Sequence, residues 1–182
     1  AFGLLQRFGP ESAGALTLLS PGQQLPPPEL RSLSDAELSA RIQALPRQPL
    51  SHGEPKRMSL AGAQHKLAVV LVYGQLWEPI GQAASTHILK PDHEQVDHYP
   101  HSVVNEWFCM RLAGACGLPV PEVQVRRVPE PVYLVRRFDR EGEGLHVRRR
   151  YALDGCQLLS LDAVFKYQQA SSLTLRQLLD VT

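Results

Sequence analysis

A lysine and a glutamate sixteen residues apart carry the clearest chemistry in this sequence. Lys90 ends a strand-like run, and Glu106 falls in a run whose apolar residues have helical spacing. A lysine fixed on a strand can reach phosphate oxygens with its ammonium, and a helix carboxylate can hold that ammonium in place. Two solvated surface charges would leave the same pattern, so the interpretation depends on the elements around them.

A run of small residues precedes the first long strand-like segment. Residues Ser59 to Lys66 read S-L-A-G-A-Q-H-K, with Gly62 as the only glycine. Backbone N–H groups in such a run can approach phosphate oxygens closely. The run is not a Walker loop, so taken alone it is a weak signal for phosphate binding.

The apolar pattern predicts the elements that position these groups. From residue 66 the expected order is strand, strand, strand, helix, strand, strand, over 66–73, 76–80, 86–90, 102–116, 122–128 and 132–138. Val104, Phe108 and Leu112, with Ala115, mark one face of that helix. The first two strands form a predicted hairpin with its turn at Gly74-Gln75.

The flanking segments contain linkers and short helices. Pro and Gly crowd residues 21–28, which predicts a linker, and Ser34 with Glu37 predicts a capping box for a helix over 35–45. A Gly- and Arg-rich loop is expected beyond Asp139. Two short helical patterns follow near 154–160 and at 174–181.

This order is how the nucleotide-binding lobe of a protein kinase is laid out. In such a lobe the lysine ends the third strand and binds the α- and β-phosphates, and the helix glutamate anchors it. Lys90 and Glu106 occupy those places. The predicted fold class is therefore α+β, a protein-kinase-like N-lobe with about five mainly antiparallel strands and one helix.

Five motifs resemble the HipA family, bacterial serine/threonine kinases that act as toxins of toxin–antitoxin pairs. They are M-S-L-A-G-A-Q-H-K at 58–66, T-H-I-L-K at 86–90, V-N-E at 104–106, G-L-P-V-P at 117–121 and R-F-D-R at 137–140. The resemblance implies three regions: the end of a small N-terminal subdomain with a linker helix (1–46), a nucleotide-binding N-lobe (51–138) and the beginning of a truncated C-lobe (139–182).

The resemblance also implies roles for particular residues. Ser59 is the autophosphorylated serine, and Ala61, Gly62, Ala63 and Gln64 cover the phosphates. Lys90 binds the phosphates and Glu106 anchors it. Backbone atoms around Arg136 to Phe138 meet the adenine, with the Phe138 ring packed beside it. Arg136 stands where the family often has Glu, so no side-chain contact to adenosine is assigned to it.

Cofactors and partners follow from the same resemblance. ATP and Mg²⁺ are the expected cofactors. A HipB-like helix-turn-helix antitoxin is the expected partner, and DNA is reached only through it. The expected substrate is a protein, in the family typically an aminoacyl-tRNA synthetase.

The residues of a catalytic loop are not found in the sequence. A kinase needs an Asp as base, an Asn four or five residues later for metal, and a further Asp for Mg²⁺. Asn105 is the only Asn in the chain, and it lies in the first-lobe helix. We therefore assign no catalytic residue, and expect the N-terminal portion of a kinase that is inactive alone. The alternative is a noncatalytic nucleotide-binding or antitoxin-interacting module.

Composition excludes several other classes. The chain has 182 residues, 19 Lys plus Arg against 18 Asp plus Glu, and a pI near 8.0, as in ordinary soluble domains. Its apolar runs of about seven residues are too short to cross a membrane, and its start lacks a signal-peptide layout, so a cytoplasmic protein is expected. Cys109, Cys116 and Cys156 are expected to be reduced thiols.

Two further clusters admit other interpretations. His93, His98 and His101 could bind zinc, although a solvated loop between the lysine strand and the glutamate helix is favoured. Eight arginines between 126 and 150 form the second cluster. A solvated surface is favoured there, with phosphate binding, partner docking and DNA backbone contact left open.

Overall fold

The computed structural model describes residues 11–12, 14–45, 47–50, 58–59, 64–162, 165 and 174–180, which belong to two compact units, 1–150 and 151–182. The first unit contains β1 (Glu11–Ser12), β2 (Glu29–Ser32), α1 (Asp35–Gln43), β3 (Met58–Ser59), β4 (Leu67–Val72), β5 (Gln75–Ile80), β6 (His87–Pro91), α2 (Ser102–Ala115), β7 (Val123–Arg127), β8 (Pro131–Arg136), β9 (Arg140–Glu143) and β10 (His146–Arg149). The second contains α3 (Gly155–Leu158) and α4 (Leu175–Leu179).

A six-stranded antiparallel sheet forms the body of the first unit. Its order is β2-β5-β4-β6-β8-β7, so β4 and β6 are the central strands and β8 lies next to β6. This confirms the predicted α+β, kinase-like class, with one strand more than expected. The additional strand is β2, which follows three prolines and contains one apolar residue, Leu30. Such a segment is tolerated as an edge strand but gives no strand signal in the sequence.

The predicted hairpin is formed by β4 and β5, with its turn one residue earlier than expected. Val72 pairs with Gln75, and the turn residues Tyr73 and Gly74 both have positive φ, 48° and 75°. A two-residue hairpin loop favours this backbone because it matches the twist of the strands. Gly74 adopts a positive φ without strain. A positive φ is uncommon for a residue such as Tyr73, whose side chain is fully exposed.

The two faces of the sheet have different roles. Leu67, Leu89 and Leu134 point to one face, where Leu38 of α1 completes a buried apolar core. Because successive strand residues alternate between faces, Lys90 and Tyr133 point to the other face, on which α2 lies. The core therefore holds the sheet from one side and leaves the other side for polar chemistry.

A buried carboxylate attaches α1 and β2 to this core. Glu78 of β5 is 1% exposed, and its oxygens accept hydrogen bonds from Arg41 Nη1 at 2.7 Å and Arg31 Nε at 2.7 Å. Arg31 belongs to β2 and Arg41 to α1. Two guanidinium groups thus neutralise a charge that would otherwise be costly to bury.

The helix caps follow the sequence, with one difference. Ser34 caps α1 by accepting a hydrogen bond from Glu37 N at 3.2 Å, but the Glu37 carboxylate pairs with Arg31 and Arg41 instead of returning to Ser34. In the second unit α3 and α4 each have a complete capping box, Asp154 with Gln157 and Thr174 with Gln177. The predicted box at Ser34 is therefore half formed, because two arginines compete for its acid.

Three features differ from the sequence expectations. The Gly- and Arg-rich segment after Asp139 is the hairpin β9–β10, whose residues are mostly exposed and so lack apolar alternation. The pairing of β1 with β3 is parallel and only two residues long, too short to give a pattern. The apolar face of α2 is exposed, with Val104, Phe108 and Leu112 each about half accessible, while Val103 is the helix residue that is buried.

We expect Glu78→Gln to lower the free energy of unfolding by about 3 kcal/mol, because the variant leaves two guanidinium groups beside a neutral, buried amide. Urea denaturation followed by circular dichroism measures the change. Glu29→Gln, an exposed acid on β2, is the matched control and should stay within about 0.5 kcal/mol of the parent. Equal midpoints for the two variants would contradict the role assigned to Glu78.

Candidate functional site

The structure brings Lys90 and Glu106 together. Lys90 Nζ lies 2.6 Å from Glu106 Oε2, and both side chains are partly exposed, 24% and 30%. The strand fixes the lysine stem, and α2 presents the glutamate to it from across the sheet face. One end of this ion pair therefore stays open to a ligand, as a phosphate-binding lysine requires.

Tyr133 forms the floor beneath the ion pair. It stands opposite Lys90 in the β6–β8 register, and Lys90 Nζ lies 5.7 Å from the centroid of its ring. Burial, and next the charge of Glu106, raise the pKa of Tyr133 to about 12. The phenol therefore stays neutral at physiological pH and adds no negative charge beside the lysine.

The predicted phosphate loop is described only at its two ends. Ala61, Gly62 and Ala63 lie outside the described residues, and Ser59 is described only by its backbone, which pairs with Ser12. Gln64 closes the loop. Its Nε2 donates to the carbonyl oxygen of Pro91 at 3.1 Å, and Pro91 directly follows Lys90. The end of the loop and the end of the lysine strand are thus joined.

The hinge segment after β8 leaves one residue with unused backbone groups. Arg136 N donates to Glu122 O, and Arg137 N donates to Thr86 O, both at 2.9 Å. Within the described part of the chain, Phe138 makes no backbone hydrogen bond, and its side chain is 77% exposed. The Arg136 side chain is half exposed, and its guanidinium lies 3.9 Å from the Glu122 carboxylate.

A buried network of charges holds this hinge in place. Asp139 is 4% exposed and accepts hydrogen bonds from Arg137 Nε at 2.9 Å, Arg137 Nη2 at 2.7 Å and Arg140 Nη1 at 2.8 Å. Gly14 N also donates to Asp139 at 2.8 Å, and Arg137 Nη1 donates to Ser85 at 3.0 Å. The three charged residues of the R-F-D-R motif are therefore buried and bonded to one another, whereas Phe138 is exposed. We call Arg137, Asp139 and Arg140 the hinge lock.

The same network sets the charge state of its acid. Burial alone would raise the pKa of Asp139, but hydrogen bonds and attraction from Arg137, the Gly14 N–H and the charge of Arg140 outweigh it and lower the pKa to about 2. Asp139 is thus ionised throughout the physiological range. The family resemblance implies a backbone contact of Arg137 with adenine, and Arg137 and Arg140 belong to the predicted cluster of arginines, but their bonds to Asp139 were not predicted, although the spacing of opposite charges around Phe138 was a usable signal.

A cleft of about 510 Å³ adjoins the hinge and was not expected from the sequence. Pro119, Val120 and Pro121 line one side, and residues 136–138 and Arg140 line the other. The G-L-P-V-P motif that marked the family resemblance thus lies beside the segment expected to meet a base. Proline-rich backbone is preorganised, which makes this wall rigid.

His87 is a buried polar side chain on the far face of the sheet from Lys90. Burial, and next the charge of Arg136, lower its pKa, so the ring is neutral at physiological pH. Thr86 Oγ1 lies 2.8 Å from His87 Nδ1, which fixes the orientation of the ring. His87 helps to hold the strand that carries Lys90.

The remaining sequence candidates can be placed. Among the described residues no group of three or more His, Cys, Asp or Glu side chains is arranged to hold a metal ion, so no ligand of Mg²⁺ is assigned here. His93 instead packs against Tyr99, with ring centroids 4.5 Å apart and ring planes tilted by 46°. In the described part of the chain no helix is long and apolar enough to cross a membrane.

Comparison with known proteins identifies the family. The family model of the HipA-like C-terminal domain matches residues 58–182, and the chain belongs to this family. The protein Y4mE of Sinorhizobium fredii is 40% identical over 176 residues, covering 91% of this chain and 41% of Y4mE. The serine/threonine-protein kinase toxin HipA of Shewanella oneidensis is 34% identical over 174 residues, covering 92% of this chain and 39% of HipA.

A solved structure supports the same assignment. The Shewanella oneidensis complex of HipA, HipB and operator DNA matches with a TM-score of 0.76 and 32% identity, over 98% of this chain and 42% of that chain. The chain thus spans about two fifths of the length of the relatives it matches. The predicted HipA resemblance and kinase-like fold are confirmed.

The pKa of Asp139 predicts a specific acid sensitivity. Its folded pKa, about 2, lies below its ordinary value of 3.8, so its contribution to stability is complete above pH 4 and is lost as the pH falls towards 2. The shift corresponds to about 2 kcal/mol. Urea denaturation between pH 2 and 5 should therefore show a weaker pH dependence for Asp139→Asn than for Asp97→Asn, an exposed control. If the stabilities of the two variants depended equally on pH, Asp139 would not have the lowered pKa assigned to it.

Proposed function

We propose that this chain forms the nucleotide-binding part of an ATP-dependent serine/threonine kinase of the HipA type. The observation that carries the proposal is the 2.6 Å ion pair between Lys90 of β6 and Glu106 of α2. In kinases this pair sets the lysine against the α- and β-phosphates. Lys90 would bind those phosphates, and Ala61 to Gln64 would cover them.

The hinge supports an adenine position at the other end of β6 and β8. The backbone N–H and C=O of Phe138 are unused within the described residues, and its ring is exposed beside the cleft of about 510 Å³. An adenine edge offers one donor and one acceptor to such a backbone. We assign this contact to Phe138 rather than to Arg136 or Arg137, whose amides are already engaged.

The parent activity proposed is transfer of the γ-phosphoryl group of ATP to a protein Ser or Thr. The relatives support this class, since one is named as a serine/threonine-protein kinase toxin. ATP with Mg²⁺ would supply the phosphoryl group, and this chain's share of the work is to bind and orient it. The base and metal ligands are not among the residues assigned here.

The proposed partner is a HipB-like helix-turn-helix antitoxin in the cytoplasm, with DNA reached through it. The structural relative is a complex of HipA with HipB and operator DNA, which supports this partner class. The proposed substrate is a protein such as an aminoacyl-tRNA synthetase. A noncatalytic nucleotide-binding or antitoxin-interacting module is the second candidate, because the Lys90–Glu106 pair could hold a nucleotide without transferring its phosphate. Transfer of labelled phosphate by the full-length protein, lost on Lys90→Ala, would eliminate it.

Mg-ATP should protect the fold through Lys90. Ligand at ten times its dissociation constant adds about 1.4 kcal/mol to stability, and Lys90→Met should remove that gain while barely changing the unliganded melting temperature. Thermal unfolding with and without Mg-ATP measures both quantities. Arg127→Met, which removes an exposed cation from β7, is the control and should keep the protection. Equal protection in wild type and Lys90→Met would refute the nucleotide site.

Ser59 should accept a regulatory phosphate in the full-length protein. A phosphate there adds about −1.5 to −2 charge and would compete with the nucleotide phosphates for the loop N–H groups, so ATP affinity should fall. Mass spectrometry of the protein produced with Lys90 and with Lys90→Ala tests this. A phosphate that forms only when Lys90 is intact is the expected result. An unmodified Ser59 in an active kinase would contradict this role and leave Ser59 as a residue of the short strand β3.

A further inference from the structure

The N-terminus of α2 is capped from outside the helix. His101, at the N-cap position, has a left-handed backbone (φ 51°, ψ 41°) and its side chain makes no capping bond. Asp92 supplies the acceptor instead, because Val103 N donates to its Oδ1 at 2.9 Å. An acceptor on a first-turn amide stabilises a helix, and a negative charge at that end adds to the effect.

Ser102 connects this cap to neighbouring segments. Its Oγ accepts from His93 N at 2.8 Å and from Gln64 Nε2 at 3.5 Å, and it donates to Asp92 Oδ1 at 3.4 Å. A hydroxyl has two acceptor positions and one donor, so Ser102 is fully used. Gln64 also donates to Pro91 O at 3.1 Å. We call the side chains of Gln64, Asp92 and Ser102 the latch.

The latch lies between the three parts of the proposed nucleotide site. Gln64 ends the phosphate loop, Asp92 stands two residues after Lys90, and Ser102 stands one helical turn before Glu106. Val103, fully buried and capped by Asp92, fixes the rotation of α2, and Glu106 lies three residues further along the same side. The latch therefore adjoins the turn of α2 that carries the glutamate bonded to Lys90.

We propose that Asp92 is a positioning residue and that the latch couples Gln64, at the end of the phosphate loop, to the Lys90–Glu106 pair. While Gln64 bonds to Ser102 and Pro91 and Asp92 caps α2, the helix stays in register with β6 and Glu106 stays within reach of Lys90. Loss of either contact loosens the first turn of α2 and weakens the anchor of Lys90. The role of the latch in nucleotide binding rests on the proposed function.

Hydrogen exchange of the full-length protein tests the coupling without any nucleotide. Asp92→Ala should raise the exchange rates of the first-turn amides of α2 roughly tenfold, as loss of a cap does. Gln64→Ala should raise the same rates roughly fivefold, although it does not touch the helix backbone. Asp92→Asn keeps an acceptor oxygen and should restore most of the protection. Asp97→Ala, on the same loop, should leave the rates unchanged.

A double variant separates coupling from independent effects. Gln64→Ala combined with Asp92→Ala should raise exchange by less than the product of the single effects, because both act on one network. Multiplicative effects, or wild-type α2 rates in Gln64→Ala, would overturn the coupling. Equal rates in Asp92→Ala and Asp97→Ala would overturn the positioning role. Mg-ATP binding by the unmodified protein is measured in parallel: if that protein does not bind nucleotide, the proposed function fails while the exchange result still decides the latch.

Discussion

A carboxylate removed from water needs cations and N–H groups around it, and in this chain Asp139 meets that need with two adjacent arginines and with a backbone N–H from the N-terminal region. Arg137 and Arg140 lie on either side of it in sequence, Gly14 reaches it from the N-terminal region, and Arg137 extends to Ser85 before β6. Because an unpaired buried charge is costly, these contacts leave the backbone at residues 137–140 little freedom. The exposed Phe138 and its free backbone groups are a consequence of that constraint.

The sheet separates stability from chemistry. On one face the leucines and valines of β4, β6 and β8 close over α1, and Glu78 with its two arginines secures the edge. On the other face α2 is held by Val103, by the ion pair of Glu106 with Lys90 and by hydrogen bonds at its first turn. Because Val103 is the one fully buried residue among the described residues of α2, this helix moves at lower cost than one embedded in a core, which suits an element that must respond to a ligand.

Local pattern predicted the strands β4, β5, β6, β7 and β8 and the helices α1 and α2, because each has apolar residues at a regular spacing. It missed β2 and the β9–β10 hairpin, since edge strands and polar hairpins bury no apolar face, and it could not tell which side of α2 meets the sheet. Lys90 and Glu106 were predictable because a kinase-like order of elements brings them together. Asp92 and Asp139 were not, because their partners depend on turns and on pairings between residues up to 125 apart in sequence.

The two-residue pairing of β1 with β3 has a practical consequence. Ser12 pairs with Ser59 by its backbone, and Gly14, two residues on, donates to Asp139 and accepts from Arg140 at 3.0 Å. One short stretch of chain thus touches both the start of the loop and the hinge lock. A deletion variant that begins after residue 14 would retain the whole six-stranded sheet and every proposed ligand-binding side chain. It would, however, remove β1, which pairs with the start of the phosphate loop, and the Gly14 N–H, which donates to Asp139 of the hinge lock. An expression boundary chosen from the limits of the sheet would therefore keep the fold but remove two contacts that position the proposed nucleotide site.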